Sequence, residues 1–112
     1  MIPQETAERI AEAKARGRRV VAVGSTSVRA LESAALADGI VHQGRGVSTL
    51  FLKPGAAFRV VDAYFTNFHP ARSSLMILDA AFCPVDVLMP AYREAQRQGY
   101  LFQEFGDAVL YR

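Results

Sequence analysis

Apolar residues recur along this chain with two different periods, and the switches between them lay out its elements. Over residues 5–16, ETAERIAEAKAR, the residues Ala7, Ile10, Ala11 and Lys14 fall on one helical face with charges elsewhere, and Gly17 stands where a helix stops. Arg19 to Val23 is a short β-branched run ending at Gly24. The next segment, TSVRALESAALADG, returns to helical spacing through Val28, Leu31, Ala34 and Ala35, with Gly39 after its end. Thr49 to Leu52 and Phe58 to Asp62 read as strands on either side of Lys53-Pro54-Gly55, a strong turn signal that predicts a hairpin or a sharp bend.

YFTNFHPARSS has no clean period and predicts a structured loop ending at a serine N-cap. LMILDAAF then reads as a helix interrupted by Cys83-Pro84. VDVLMPAYREAQRQG reads as another, with Pro90 near its first turn and Gly99 closing it. The final YLFQEFGDAVLY is β-rich and split at Gly106-Asp107. Alternating strands and helices predict an α/β fold, a mixed sheet with flanking helices, in one domain spanning residues 1–112 with no repeat or linker. VVAV and TLFL are apolar at every position, as strands covered on both faces are, yet the chain has few strands to flank them. This sheet is therefore expected to be part of a larger, discontinuous α/β domain.

Composition narrows the chemistry. With 51% hydrophobic residues the 112-residue chain can build a core, and a formal charge of +2 does not by itself argue for nucleic acid. The single cysteine, Cys83, excludes an internal disulfide, reads as a buried helix-end thiol and suits a reducing, cytoplasmic setting. Two histidines far apart give no metal-ligand spacing. No apolar stretch approaches the roughly 20 residues of a membrane span.

Three constellations could carry chemistry. Gly24-Ser25-Thr26-Ser27-Val28-Arg29 sits where a strand turns into a helix, where free N–H groups and hydroxyls can meet an anion and Arg29 can add a two-pronged donor. The same residues also make an ordinary turn and helix cap. Thr66-Asn67-Phe68-His69 brings an amide, an aromatic face and an imidazole within four residues, suited to holding a purine or moving a proton; a polar loop with a satisfied histidine is the plain alternative. Asp107 beside Gly106 could hold ribose hydroxyls or simply make a turn.

Taken in order, RVVAVGSTSVRALESAA, TLFLKPG with FRVVDAYFTNFH, and FGDA resemble the C-terminal third of the S-adenosylmethionine:tRNA ribosyltransferase-isomerase family of queuosine biosynthesis. The resemblance covers nearly the whole chain. It implies transfer of the ribosyl part of S-adenosylmethionine to 7-aminomethyl-7-deazaguanine in tRNA and its isomerisation to epoxyqueuosine. S-adenosylmethionine is then a co-substrate, tRNA a partner, and no prosthetic group is needed. The family's motif segments carry onto Gly24, Thr26, Ser27, Arg29, Thr66, Asn67, Phe68, His69, Gly106 and Asp107.

Within that chemistry His69 is the expected proton shuttle. Arg29 and the Gly24–Ser27 turn would orient the methionine carboxylate or the sugar, and Phe68 would stack a base. The sequence departs from the family pattern in three places: Ser25 replaces a threonine, Pro70 directly follows His69, and Phe102-Gln103-Glu104-Phe105 replaces an aromatic-Ser-aromatic run. Full-length members carry a long N-terminal part besides. The isolated chain is therefore expected to be inactive and to self-associate, or to join a missing N-terminal part, through surface which that part would cover. A noncatalytic ligand-binding or assembly module derived from the family is the rival expectation.

Overall fold

The computed structural model describes residues 1–35 and 38–112. Four helices and three strands follow one another as α1 (Gln4–Ala15), β1 (Val21–Val23), α2 (Ser25–Ala34), β2 (Ala63–Asn67), α3 (Ser74–Phe82), α4 (Val85–Arg97) and β3 (Ala108–Tyr111). The sheet has the order β1-β2-β3, with β1 parallel to β2 and β3 antiparallel to it, so it is the expected mixed α/β sheet. β2 is its central strand. Ala22, Tyr64 and Tyr111 stand in register on the face that meets the core, beside the buried Val28 of α2 and Leu88 and Tyr92 of α4.

The opposite face of the sheet is largely open, although Ala63 on it is buried. Val21 and Val23 are 53% and 65% exposed, and Phe65 and Leu110 beside them are 41% and 50% exposed. The apolar run in β1 therefore does not mark a strand covered on both sides here, since Val21 and Val23 are exposed while Ala22 between them is buried.

Several elements differ from their sequence patterns. Residues 64–67, expected as loop, form the central strand together with Ala63, since both edges of that backbone find partners, Phe65 pairing with Val23 on one side and with Leu110 on the other. Thr49–Leu52 and Phe58–Asp62 are not strands. A side chain has taken the ladder's place at the second of these: the Glu32 carboxylate of α2 accepts the backbone N–H groups of Arg59, Val60 and Val61 at 2.9, 3.0 and 2.8 Å. The Asp62 carboxylate likewise accepts the Val20 N–H at 2.7 Å. The Lys53-Pro54-Gly55 turn forms, closed by Ala56 N–H on the Lys53 carbonyl at 3.0 Å.

Helix boundaries follow the caps. α1 turns Ala7, Ile10 and Lys14 partly inward, but Ala11 is exposed and Ala13 takes its place. α2 ends at Ala34, with Ala35 extended and bridged to Val41; the expected continuation over Leu36 and Ala37 lies outside the described residues. Ser73 caps α3 by accepting the Met76 N–H at 3.2 Å. Pro90 sits inside α4, beyond its first turn, and Gly99 closes the helix with φ 80°. Cys83 is half-buried rather than buried, and burial with Asp86 nearby pushes its thiol up.

Candidate functional site

Two of the three expected constellations meet at the C-terminal ends of β1 and β2. Gly24 directly follows β1 with φ 85°, a conformation that side-chain-bearing residues rarely adopt, and its N–H donates to the Phe65 carbonyl at 2.9 Å. The chain then enters α2, so Ser25 and Thr26 occupy the helix N-terminus, where N–H groups have no intrahelical partner. Thr66 and Asn67 end β2 beside them, and His69 follows two residues on. Gly24, Ser25, Thr26, Thr66, Asn67 and His69 line one cleft of about 420 Å³, together with Pro70, Leu75, Gln103 and Glu104.

The remaining expected residues stand elsewhere. Ser27 lies on α2 outside the cleft wall. Arg29 is exposed, makes no ion pair among the described residues, and lines a neighbouring depression that shares Leu75 with the cleft. Phe68 is buried, stacked on Phe102 at 5.1 Å and edge-on to Tyr92 and Tyr100, so its ring is committed to an aromatic cluster. Asp107 serves the loop before β3: its carboxylate accepts the Leu101 N–H at 2.8 Å, and its carbonyl accepts from Asn67 Nδ2 at 3.3 Å. Gly106 is required there, because a Cβ would run into the Leu101 carbonyl. The stretch from Tyr100 to Asp107 is thus a closed loop, not the strand expected of its composition.

Behind His69 lies a group that sequence reasoning missed. Asp79 of α3 is fully buried, and its Oδ2 stands 2.8 Å from His69 Nδ1. Tyr92 of α4 donates its hydroxyl to the same oxygen at 3.0 Å while accepting the His69 backbone N–H at 3.1 Å, and Tyr111 donates to Tyr92 at 3.3 Å. On the cleft side, the Thr66 hydroxyl lies 3.3 Å from His69 Nε2. A signal was present: Asp79 is the one charge in the otherwise apolar LMILDAAF, and a carboxylate on such a face is costly unless it is paired.

Burial sets the protonation of the phenols in this layer. It pushes Tyr92 up, outweighing the lowering by the His69 amide and the Tyr111 hydroxyl. Tyr111 is pushed up further, by burial first and by its bond to Tyr92 second. Tyr64 rises to about 12, burial again prevailing over the nearby Thr66 and Ser25 side chains. All three therefore keep their protons at neutral pH, and Tyr92 and Tyr111 donate theirs while the buried Tyr64 hydroxyl has no partner among the described residues. Among the described residues no group of three or more His, Cys, Asp or Glu stands where it could hold a metal ion.

A histidine backed by a buried carboxylate thus stands at the C-terminal strand ends, the edge where open α/β sheets bind their ligands. A family described as queuosine biosynthesis protein matches residues 1–111, and the chain belongs to that family. It is 53% identical to an S-adenosylmethionine:tRNA ribosyltransferase-isomerase of Thermus thermophilus, with 97% of this chain and 32% of that protein aligned. A Natranaerobius thermophilus protein of the same name is 48% identical, again over 97% of this chain and 32% of its own length. The crystal structure of an S-adenosylmethionine tRNA ribosyltransferase from Thermotoga maritima superposes with a TM-score of 0.87 at 44% identity, covering 97% of this chain and 38% of that one. The chain therefore spans about a third of the length of the relatives it matches.

Proposed function

We propose that this chain supplies the proton-transferring histidine and one wall of the S-adenosylmethionine site of a tRNA ribosyltransferase-isomerase. The carrying observation is the convergence of the Gly24–Thr26 turn and the Thr66–His69 segment on one cleft. The reaction transfers the ribosyl moiety of S-adenosylmethionine to 7-aminomethyl-7-deazaguanine in tRNA and isomerises it to give epoxyqueuosine. His69 moves the proton; Ser25 and Thr26, at the N-terminus of α2, receive the carboxylate or the sugar hydroxyls. Arg29, from the adjoining depression, meets a more distant negative group such as tRNA phosphate. Phe68 and Asp107 contribute by holding the segments that carry His69 and Asn67.

S-adenosylmethionine is consumed as a co-substrate, and the cytoplasm is the compartment where the tRNA and a free thiol such as Cys83 would both be found. Alone, the chain lacks most of the tRNA surface and releases no adenine. The ligand contact itself is testable on the isolated chain. Titration with S-adenosylmethionine is expected to shift the amide resonances of Gly24 to Thr26 and Thr66 to His69. Saturation with shifts confined to other segments would show the cleft to be the wrong site.

The open sheet face favours a second property, assembly. Val21, Val23, Phe65 and Leu110 present apolar surface whose burial is worth about 25 cal/mol per Å². Self-association through this face is therefore expected of the isolated chain. Sedimentation at micromolar concentration should give a dimer or larger species, and Val23→Lys should return it toward monomer. A compact, cooperatively unfolding monomer of the unsubstituted chain would mean that the face needs no cover.

A further inference from the structure

We propose that Asp79, braced by Tyr92, is a positioning residue that locks the His69 imidazole with its proton on Nδ1 and leaves the Nε2 lone pair facing the cleft. The argument is one of donors and acceptors. The Tyr92 hydroxyl has a single proton, and its geometry commits that proton to Asp79 Oδ2, because Tyr92 already accepts from the His69 backbone N–H and from Tyr111. Asp79 Oδ2 is thus already an acceptor, and as an acceptor it takes its second hydrogen bond from the ring nitrogen facing it at 2.8 Å. Nδ1 therefore carries the proton, and a neutral ring has its free lone pair on Nε2. The Thr66 hydroxyl, 3.3 Å from Nε2, can donate to that lone pair until a substrate displaces it.

Burial makes the lock effective. Asp79 is 0% exposed and His69 7%, so water does not compete for the carboxylate oxygen that joins them. Tyr92 fixes the carboxylate and the imidazole backbone together, which leaves the ring little freedom to flip. The consequence for the chemistry is directional. Nε2 takes a proton from an acidic group of a ligand in the cleft, the resulting imidazolium keeps its Nδ1–H on Asp79, and the same Nε2 returns the proton. This deepens the reading of His69 as the proton-transferring group and rests on it for the catalytic consequence only, since the tautomer is a property of the unliganded chain.

The test is a two-bond proton–nitrogen NMR correlation of the imidazole rings in the ¹⁵N-labelled chain, recorded where the rings are neutral. His69 is expected to show a protonated-type Nδ1 and an unprotonated-type Nε2. The exposed His42 serves as an internal reference that averages between forms. Asp79→Ala removes the oxygen that accepts from Nδ1 and should let the Nε2–H form of His69 appear, whereas Tyr92→Phe should leave Nδ1 protonated but allow exchange between tautomers to become visible. An Nε2–H form or a free average for His69 in the unsubstituted chain would overturn the proposal, whatever the variants do and whether or not the ribosyl-transfer reading holds.

Discussion

Replacing His69 by alanine lowers tRNA-dependent adenine release by about 10²- to 10⁴-fold, the range over which a positioned acid–base side chain contributes. The setting for the measurement is a chimera in which these 112 residues replace the matching third of the Thermus thermophilus relative, so that the missing site surface is supplied. The argument for a large effect is geometric. His69 is the only imidazole lining the cleft, and it is held from behind by Asp79 and from its own backbone by Tyr92. Removing it takes away the proposed proton acceptor and leaves Asp79 with one donor fewer, so circular dichroism and melting must show that the variant is folded. A folded variant within a few-fold of the parent would remove His69 from the chemistry.

The second large effect is on stability. Glu32 is 7% exposed, and its carboxylate accepts three consecutive backbone N–H groups from Arg59 to Val61. Hydrogen bonds to a charged acceptor contribute about 1.5–3 kcal/mol each, and a buried donor left unpaired costs about 1–3 kcal/mol. Glu32→Ala loses the acceptor for all three at once and should destabilise the chain by about 3 kcal/mol or more. That corresponds to a fall of more than roughly 10 °C in melting temperature for a domain of this size. Glu32→Gln keeps an oxygen acceptor without the charge and should fall between the two. A change in Glu32→Ala below about 0.5 kcal/mol would place it with ordinary surface substitutions and contradict the clamp.

What the sequence made legible, and what it did not, divides by physical range. Helices with a periodic apolar face and a glycine or serine at the end, such as α1, α3 and α4, are specified locally and fall within one or two residues of their patterns. The Gly24 turn and its helix are local too, and they lie where the motif indicated. β2 was hidden because its strand character comes from partners distant in sequence, β1 and β3, while its own residues, AYFTN, carry hydroxyls and an amide that read as loop. The opposite error, at Phe58 to Asp62, has the same origin: β-branched residues whose N–H groups are taken by Glu32, 27 to 29 positions earlier. At the candidate site, the sequence singled out His69 and the Gly24 turn, which line one cleft, but Asp79, Tyr92 and Tyr111 lie 10 to 42 positions from His69 and become visible only once the helices dock. Phe68 shows the converse, an aromatic beside a histidine whose ring packs inward.

The central claim is that this chain carries a working part of a ribosyl-transfer site, and the unsubstituted chimera tests it most directly. It should release adenine from S-adenosylmethionine in the presence of tRNA bearing 7-aminomethyl-7-deazaguanine, and epoxyqueuosine should be found in that tRNA by mass spectrometry. A chimera that folds and binds both substrates yet releases no adenine would contradict the account and leave the chain as a binding or assembly module.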